Sequence, residues 1–197
     1  MKIELEDITA VILAGGQGRR MGGQDKGLIE IDGKPLAAVL IEQLQRQGVD
    51  IVINANRNHE RYRRFGYPVI SDQLQDYQGP LAGFASAMAA VDSAWILTLP
   101  CDGPLLAHDY VARFVEAAAR EQAAVLVADD GERLQPVHAL IRVDLLPSLN
   151  RFLDSGDRKI DRWYALHDYA RVDFSDCADM FRNINTPDDR ASLQSNS

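Results

Sequence analysis

The chain has 197 residues, of which 46% are hydrophobic and 25% are charged, and its formal net charge is −8. This composition is typical of a folded domain and excludes disorder as the main state. The acidic balance argues against broad nucleic-acid binding, which relies on Lys and Arg displacing counterions from phosphates.

Short β-rich runs alternate with helical patterns through the first two thirds of the chain. The first predicted strand is a nearly continuous apolar run, as expected of a strand buried on both faces. The next segment has apolar residues at helical spacing, with Pro35 in its first turn and Gly48 as its stop. In chain order we predict strand 8–13, helix 35–47, strand 49–53, helix 57–65, strand 68–71, helix 80–91, strand 95–99, helix 110–122 and strand 124–127.

The remaining third is less regular. A strand is predicted near 134–143, helical stretches near 145–154 and 159–166, and a last helix after Pro187. The strand–helix alternation up to about residue 127 favours an α/β fold with three layers, in which a mostly parallel sheet has helices on both faces. Because no repeat or linker divides the chain, we expect a single Rossmann-like domain over 1–197.

Cysteine, histidine and N-terminal patterns exclude several classes of protein. Cys101, Cys177 and four widely spaced histidines form neither a disulfide framework nor a zinc pattern. Three acids precede the first apolar run, whereas a signal peptide begins with positive charge. No apolar stretch approaches the roughly 20 residues that span a bilayer. We therefore expect a soluble, cytoplasmic protein with neither a membrane nor a nucleic acid as partner.

A glycine-rich segment follows the first predicted strand, at the edge of the sheet where open parallel sheets bind ligands. Residues 13–26 contain five glycines, whose backbone N–H groups can turn toward an anion. Arg19 supplies a fork of donors for phosphate and Lys26 a point charge. The segment lacks the third glycine of the dinucleotide fingerprint and the GK[ST] of a P-loop. It predicts a different phosphate loop, with a flexible solvent loop as the alternative.

Polar side chains follow three further strands at the same predicted edge. Asn54 and Asp72 offer acceptors, which would favour guanine over adenine because guanine presents N–H donors at N1 and N2. Asp102 follows strand 95–99, and Mg²⁺ takes one or two carboxylates together with phosphate oxygens. Helix caps or turn residues are the alternative interpretation of all three.

Later polar residues are weaker candidates. Arg158 and Lys159 could hold a second phosphorylated substrate, or could be exposed basic residues that open a helix. Asn183 and Asn185 precede Thr186-Pro187, which can cap the last helix and leave both amides facing the site. Four arginines between residues 57 and 64 are interpreted as a solvated helix face.

In their order along the chain, these motifs resemble the MobA family of molybdenum cofactor guanylyltransferases, and the resemblance covers nearly the whole chain. The LAGG opening, in place of LAAG, favours the guanylyl over the cytidylyl relatives. The residues that carry the resemblance are Leu13-Ala14-Gly15-Gly16, Arg19, Met21-Gly22-Gly23, Asp25-Lys26-Gly27, Asn54-Ala55-Asn56, Gly79-Pro80-Leu81-Ala82-Gly83, Pro100-Cys101-Asp102, Asn183, Asn185 and Thr186-Pro187.

The resemblance implies a nucleotidyltransferase that transfers GMP from GTP to molybdenum-bearing molybdopterin and releases pyrophosphate, with Mg²⁺ as cofactor on Asp102. It also implies a GTP-binding part over about 1–127 and a molybdopterin-side part over about 128–190. Possible partners are other cofactor-biosynthesis proteins or recipient molybdoenzymes, in complexes that deliver the product. The implied catalytic residues are Arg19, Lys26 and Asp102. The implied GTP-binding residues are Leu13, Ala14, Gly15, Gly16, Lys26, Asn54, Asp72 and Asp102. Those implied on the molybdopterin side are Arg158, Lys159, Asn183 and Asn185.

Three other functions are considered. A cytidylyl or sugar-phosphate nucleotidyltransferase would differ in its choice of nucleotide. A non-catalytic nucleotide carrier would bind GTP and release no pyrophosphate. A dinucleotide-binding oxidoreductase is disfavoured by the missing third glycine.

Overall fold

The structure, a computed structural model, describes residues 3–16, 24–73 and 79–183. The strands within these ranges are β1 (Ile8–Leu13), β2 (Glu30–Ile31), β3 (Lys34–Pro35), β4 (Asp50–Asn54), β5 (Val69–Ile70), β6 (Trp95–Pro100), β7 (Val125–Asp129), β8 (Leu134–Arg142) and β9 (Tyr169–Asp173). The α-helices are α1 (Leu36–Arg46), α2 (His59–Arg63), α3 (Pro80–Ala90), α4 (Tyr110–Glu121), α5 (Leu146–Asp154) and α6 (Ile160–Tyr164).

A seven-stranded sheet forms the centre of the molecule, in the order β5-β4-β1-β6-β8-β7-β9. Its pairs are parallel except for those of β8, which runs antiparallel to both β6 and β7. The apolar run of β1 lies in the interior of this sheet, where Ile8, Val11 and Ile12 are fully buried. The predicted mostly parallel α/β sheet is confirmed.

Helices cover both faces of the sheet. Successive side chains of a strand point to opposite faces, and the core divides accordingly. Ala10 and Ile12 pack in one apolar cluster with α1 and α4, while Val11 packs in the other with α3, α5 and α6. The predicted three-layer arrangement is therefore confirmed.

The order of the strands reverses between β1 and β6. From β1 the chain proceeds outward to β4 and β5 on one side, and then returns to β6 on the other side of β1. The segments that follow β1, β4 and β6 are consequently brought together at the carboxyl edge. Backbone hydrogen bonds join them, from Ala14 N–H to the Asn54 carbonyl (2.8 Å) and from Cys101 N–H to the Leu13 carbonyl (3.1 Å).

Several elements differ from the sequence-based expectation. The β2–β3 hairpin, the edge strand β9 and a kinked 3₁₀ segment (Ser175–Phe181) were not predicted. The helix expected at 159–166 is shorter, extending over Ile160–Tyr164. The helix expected after Pro187 lies outside the described residues. Among those that the structure describes, no helix is long and apolar enough to cross a membrane.

Candidate active site

Lys26 and Asp102 meet where the strand order reverses. The Lys26 Nζ atom lies 2.8 Å from Oδ2 of Asp102, and the two side chains are 25% and 14% exposed. Lys26 begins a 3₁₀ turn (Lys26–Leu28), and Asp102 lies in the turn that follows β6. The pair therefore joins the end of the glycine-rich segment to the loop after β6 and remains partly exposed.

Asp72 lies at the centre of a second polar cluster, formed after β4 and β5. Its Oδ1 accepts a hydrogen bond from the Asn54 amide (3.0 Å) and its Oδ2 one from the Asn56 amide (2.7 Å), while its own N–H donates to Asn56 Oδ1 (2.8 Å). Asn54 is only 2% exposed, so it binds the Asp72 carboxylate from the buried side. Asp72 itself is half-buried, and each carboxylate oxygen has a second lone pair to offer a ligand.

Asn56 was part of the sequence motif but was given no role, and the structure places it between two loops. Besides binding Asp72, its amide lies 3.4 Å from the Gly15 carbonyl. Asn56 lies two residues beyond the end of β4, in the same segment that singled out Asn54, and this position was a signal that could have drawn attention to it.

Two glycines allow these segments to approach closely. A Cβ on Gly15 would lie 2.8 Å from Nδ2 of Asn56. A Cβ on Gly83, in α3, would lie 2.8 Å from Cδ2 of Leu13 and 2.9 Å from Oδ1 of Asn54. Gly16, in contrast, is exposed and has open space where a side chain would be, as a loop that a ligand approaches requires.

Cys101 precedes Asp102 and is not a nucleophile. It is buried, and burial, followed by the charges of Asp102 and Asp25, raises the pKa of its thiol. A thiol must ionise to attack, so Cys101 acts as an apolar core residue beneath the site.

The residues expected on the molybdopterin side have different surroundings. Arg158 donates through Nη1 to the carbonyls of Leu153 (2.7 Å) and Asp157 (2.6 Å), after the end of α5. Lys159 is exposed at the N-terminus of α6. Asn183 is the member brought to the Asp102 loop, since its Oδ1 lies 3.5 Å from where a Cβ on Gly103 would be. Arg19 and Asn185 lie outside the described residues.

The carboxylate of Asp102 is the kind of ligand that Mg²⁺ uses in proteins. Across 3–16, 24–73 and 79–183, no three His, Cys, Asp or Glu side chains form a metal-binding group. Asp102 offers a partly exposed carboxylate next to Lys26, at the end of the glycine-rich segment. Mg²⁺ commonly uses one or two protein carboxylates and completes its shell with substrate phosphate oxygens and water, so Asp102 fits this ion.

Comparison with known proteins identifies the family. Residues 10–172 match the family described as "MobA-like NTP transferase domain". A protein of Shewanella halifaxensis named molybdenum cofactor guanylyltransferase is 50% identical over 186 residues, which are 94% of this chain and 93% of that protein.

Solved structures at low identity share the fold. Molybdopterin-guanine dinucleotide biosynthesis protein A of Archaeoglobus fulgidus superposes with a TM-score of 0.79 at 21% identity, covering 95% of this chain and 97% of that one. A 4-diphosphocytidyl-2C-methyl-D-erythritol synthase of Anaerococcus prevotii gives 0.72 at 12% identity, covering 98% and 99%. Proteins with different printed functions therefore share this fold, and the fold alone assigns no function.

Proposed function

This chain belongs to the MobA-like NTP transferase family, and from that premise we propose that it is a molybdenum cofactor guanylyltransferase. It transfers GMP from GTP to molybdenum-bearing molybdopterin, which yields molybdopterin guanine dinucleotide and pyrophosphate. The relative from Shewanella halifaxensis, which carries that name, supports this activity because it is 50% identical over 94% of the chain. The division into a GTP-binding part up to about residue 127 and a molybdopterin-side part after it belongs to the same proposal.

The observation that carries the proposal is the Lys26–Asp102 pair at the reversal of strand order, with Nζ and Oδ2 2.8 Å apart. A nucleotidyl transfer requires a cation for the phosphates and a carboxylate for a metal at the same point. Cys101, the residue before Asp102, donates its N–H to the Leu13 carbonyl (3.1 Å). We assign the close approach of the nucleotide to the backbone of Leu13, Ala14, Gly15 and Gly16.

The reaction needs no general base from the protein. A terminal phosphate oxygen of molybdopterin is already ionised near neutral pH, and it attacks the α-phosphorus of GTP in line while pyrophosphate leaves. The protein has to orient the two phosphates and stabilise the charge of the leaving group. We assign the second task to Lys26 and Arg19.

Asp102 is the residue that we assign to Mg²⁺. A bound Mg²⁺ would supply Lewis-acid polarisation of the α-phosphate. In the absence of substrate, the ammonium of Lys26 compensates the carboxylate of Asp102. The binding of a metal–nucleotide complex would separate the two, with Lys26 turning to phosphate and Asp102 to the metal.

Base selection is assigned to Asp72. Its two oxygens are held by Asn54 and Asn56 in a fixed orientation at the carboxyl edge. A fixed carboxylate accepts from N1–H and N2–H of guanine, whereas adenine offers no donor at its N1. Asn54 acts beneath Asp72 in this scheme, and contact of Asn54 itself with the base is not required.

For the second substrate, we assign Asn183, Asn185, Arg158 and Lys159 to the molybdopterin side. Cytoplasmic location and delivery complexes with other cofactor-biosynthesis proteins or with recipient molybdoenzymes are the remaining parts of the proposal.

Nucleotide binding separates this function from its rivals. We would measure the affinities of GTP, CTP and ATP by isothermal titration calorimetry in the presence of Mg²⁺. The proposal predicts the tightest binding for GTP, and weaker GTP binding when Asp72 is replaced. Preference for CTP would place the chain among cytidylyltransferases, and tight GTP binding without turnover would support a carrier.

A further inference from the structure

A buried carboxylate lies directly next to the lysine of the site. Asp25 has a side chain that is 4% exposed, and it precedes Lys26 in the chain. Its Oδ1 accepts a hydrogen bond from the Tyr62 hydroxyl at 2.5 Å, and its Oδ2 one from the Asn58 amide at 2.9 Å. A buried carboxylate is costly unless such donors compensate it, so these bonds fix Asp25 in one position.

Tyr62 reaches this carboxylate from α2 and is fully buried. Its hydroxyl also contacts the backbone beyond Lys26, since a Cβ on Gly27 would lie 2.5 Å from that oxygen. Burial raises the pKa of the Tyr62 phenol, with a further contribution from the Asp25 carboxylate, so the hydroxyl remains a donor at physiological pH. Tyr62 therefore touches the residues on both sides of Lys26.

The turn between β4 and α2 binds the same region of the chain. Arg57 donates to the Gln24 carbonyl (3.0 Å), just before Asp25. Asn58 adopts a left-handed conformation with a φ of 54°, in which its amide reaches Asp25. Near the start of the glycine-rich segment, the Asn56 amide lies 3.4 Å from the Gly15 carbonyl. The turn between β4 and α2 thus contacts the chain both before and after residues 17–23.

We propose that Tyr62, acting through Asp25, is a positioning residue that fixes the backbone of Lys26 and so directs its ammonium group to the nucleotide phosphates. This inference rests on the proposed function for its ligand. A lysine side chain has many rotamers. When the backbone on both sides of Lys26 is fixed, less conformational entropy is lost as its ammonium group binds the phosphates. Tyr62 itself touches neither substrate nor metal in this scheme.

The test is Tyr62→Phe, which removes the hydroxyl and retains the ring in the core. We expect the Kd for GTP to rise by about tenfold, because a hydrogen bond to a charged group is lost next to Lys26. We also expect faster hydrogen exchange at the amides of Leu28 and Ile29, whose bonds to the carbonyls of Asp25 and Lys26 close the following turn. The exchange experiment needs no ligand.

Tyr110→Phe is the matched control. Tyr110 is also fully buried and also loses a hydroxyl, but its partner is His138 Nδ1 at 3.1 Å, away from the Lys26 segment. It should lower stability in a similar way while leaving the Kd for GTP and the exchange of Leu28 and Ile29 unchanged. A general loss of stability would affect both variants alike.

Asn58→Gly provides a second variant if Tyr62→Phe does not fold. Glycine accepts the positive φ at this position, so the change removes the Asn58 hydrogen bond to Asp25 without backbone strain and leaves the Arg57 ion pair with Asp25 (3.7 Å) in place. Its effect should have the same direction. The inference would be overturned, and the proposed function left standing, if Tyr62→Phe kept both the wild-type GTP affinity and the wild-type exchange at Leu28 and Ile29. If Tyr62→Phe does not fold, the same result in Asn58→Gly would overturn it. A wild-type protein that binds no nucleotide would overturn both the inference and the proposed function.

Discussion

Lys26 and Asp102 form an ion pair with Nζ and Oδ2 2.8 Å apart, across the point at which the order of the strands reverses. Each residue follows a different central strand, and they are 76 positions apart in the chain. The parallel pairing of β1 with β6 brings them together. The pair places a cation and a carboxylate, which compensate each other, at the point to which we assign the metal–nucleotide complex.

Replacement of Asp102 by Ala should reduce turnover while the protein stays folded. Loss of one preorganised electrostatic contact typically costs on the order of 10²–10³ in rate, and Asp102 is partly exposed, which limits the effect on stability. The measurement is Mg²⁺-dependent turnover together with a thermal unfolding curve. Asp144→Ala, which breaks an exposed ion pair with Arg142, serves as the control. Near-normal turnover in Asp102→Ala would remove Asp102 from the metal role.

Lys26→Ala should weaken GTP binding. The variant removes a positive charge from the phosphate loop and leaves the Asp102 carboxylate uncompensated, so we expect the Kd for GTP to rise by roughly tenfold or more. Calorimetric titration with GTP provides the measurement. Lys34→Ala is the matched control, because Lys34 is exposed and pairs with Glu42 outside the site. An unchanged Kd in Lys26→Ala would contradict the assignment.

Asp72→Ala should reduce the preference for GTP over ATP more than it reduces affinity for the triphosphate. The variant removes the acceptors that Asn54 and Asn56 orient, while Lys26 and Asp102 remain. We expect the ratio of the two affinities to fall by about tenfold, as for the loss of one good hydrogen bond to the base. Competition of GTP and ATP for the same site gives this ratio directly. If the ratio is unchanged, Asp72 does not read the base.

Gly83→Ala should destabilise the protein, although alanine favours helices. The added Cβ would lie 2.8 Å from Leu13 Cδ2 and 2.9 Å from Asn54 Oδ1, both of which are packed in place. Overpacking of this kind costs about 1–3 kcal/mol, which exceeds the helix-propensity gain of about 1 kcal/mol. Urea denaturation measures the difference. Gly16→Ala, which meets no atom within 4 Å, should leave the free energy of unfolding nearly unchanged.

Stability should depend on His138 below neutral pH. This histidine is buried, and burial lowers its pKa from its ordinary value to about 3. In the unfolded chain this histidine binds a proton near pH 6.5, whereas in the folded protein it does not. The stability that neutral His138 contributes is therefore fully present above pH 6.5 and is lost as the pH falls toward 3. Between pH 7 and pH 5 we expect a loss of about 2 kcal/mol from this group.

Denaturant unfolding of the wild type and of His138→Gln at both pH values measures this contribution. The variant should be less stable at pH 7, because its contact with Tyr110 changes, but its stability should fall less between the two pH values. Equal pH dependence in the two proteins would show that His138 is not the group that titrates.

The fold could be predicted from the sequence where an element is long and its pattern strong. β1 is a nearly continuous apolar run and α1 and α4 have apolar residues at helical spacing, and all three lie close to their predicted positions. The β2–β3 hairpin was missed because strands of two residues carry no measurable period. Its turn did carry a signal, since Asp32-Gly33 is a dipeptide typical of hairpins and both residues have positive φ.

Edge strand β9 escaped prediction for a different reason. Of its five residues, only Val172 is buried, so the alternation of apolar and polar residues is too weak to indicate a strand. What fixes β9 is parallel pairing with β7, more than 40 positions earlier in the chain. No local pattern reports such a pairing.

In the candidate site, too, residues marked by a local pattern could be predicted, whereas contacts between distant parts of the chain could not. The rule that ligands bind at the carboxyl ends of parallel strands selected Asn54, Asp72 and Asp102 as candidates from their positions alone. It could not identify Asp25, whose partner Tyr62 is 37 positions away on a helix. Arg57 was interpreted as part of a solvated face, but it binds the Gln24 carbonyl and is only partly exposed.

The most direct test of the central claim is pyrophosphate release with Mg²⁺ and molybdenum-loaded molybdopterin, compared for GTP, CTP and ATP and repeated with Asp102→Ala. We predict release with GTP, little with the other two nucleotides, and loss of most of that release in the variant. Release that favours CTP, or no release with any nucleotide despite tight GTP binding, would contradict the account.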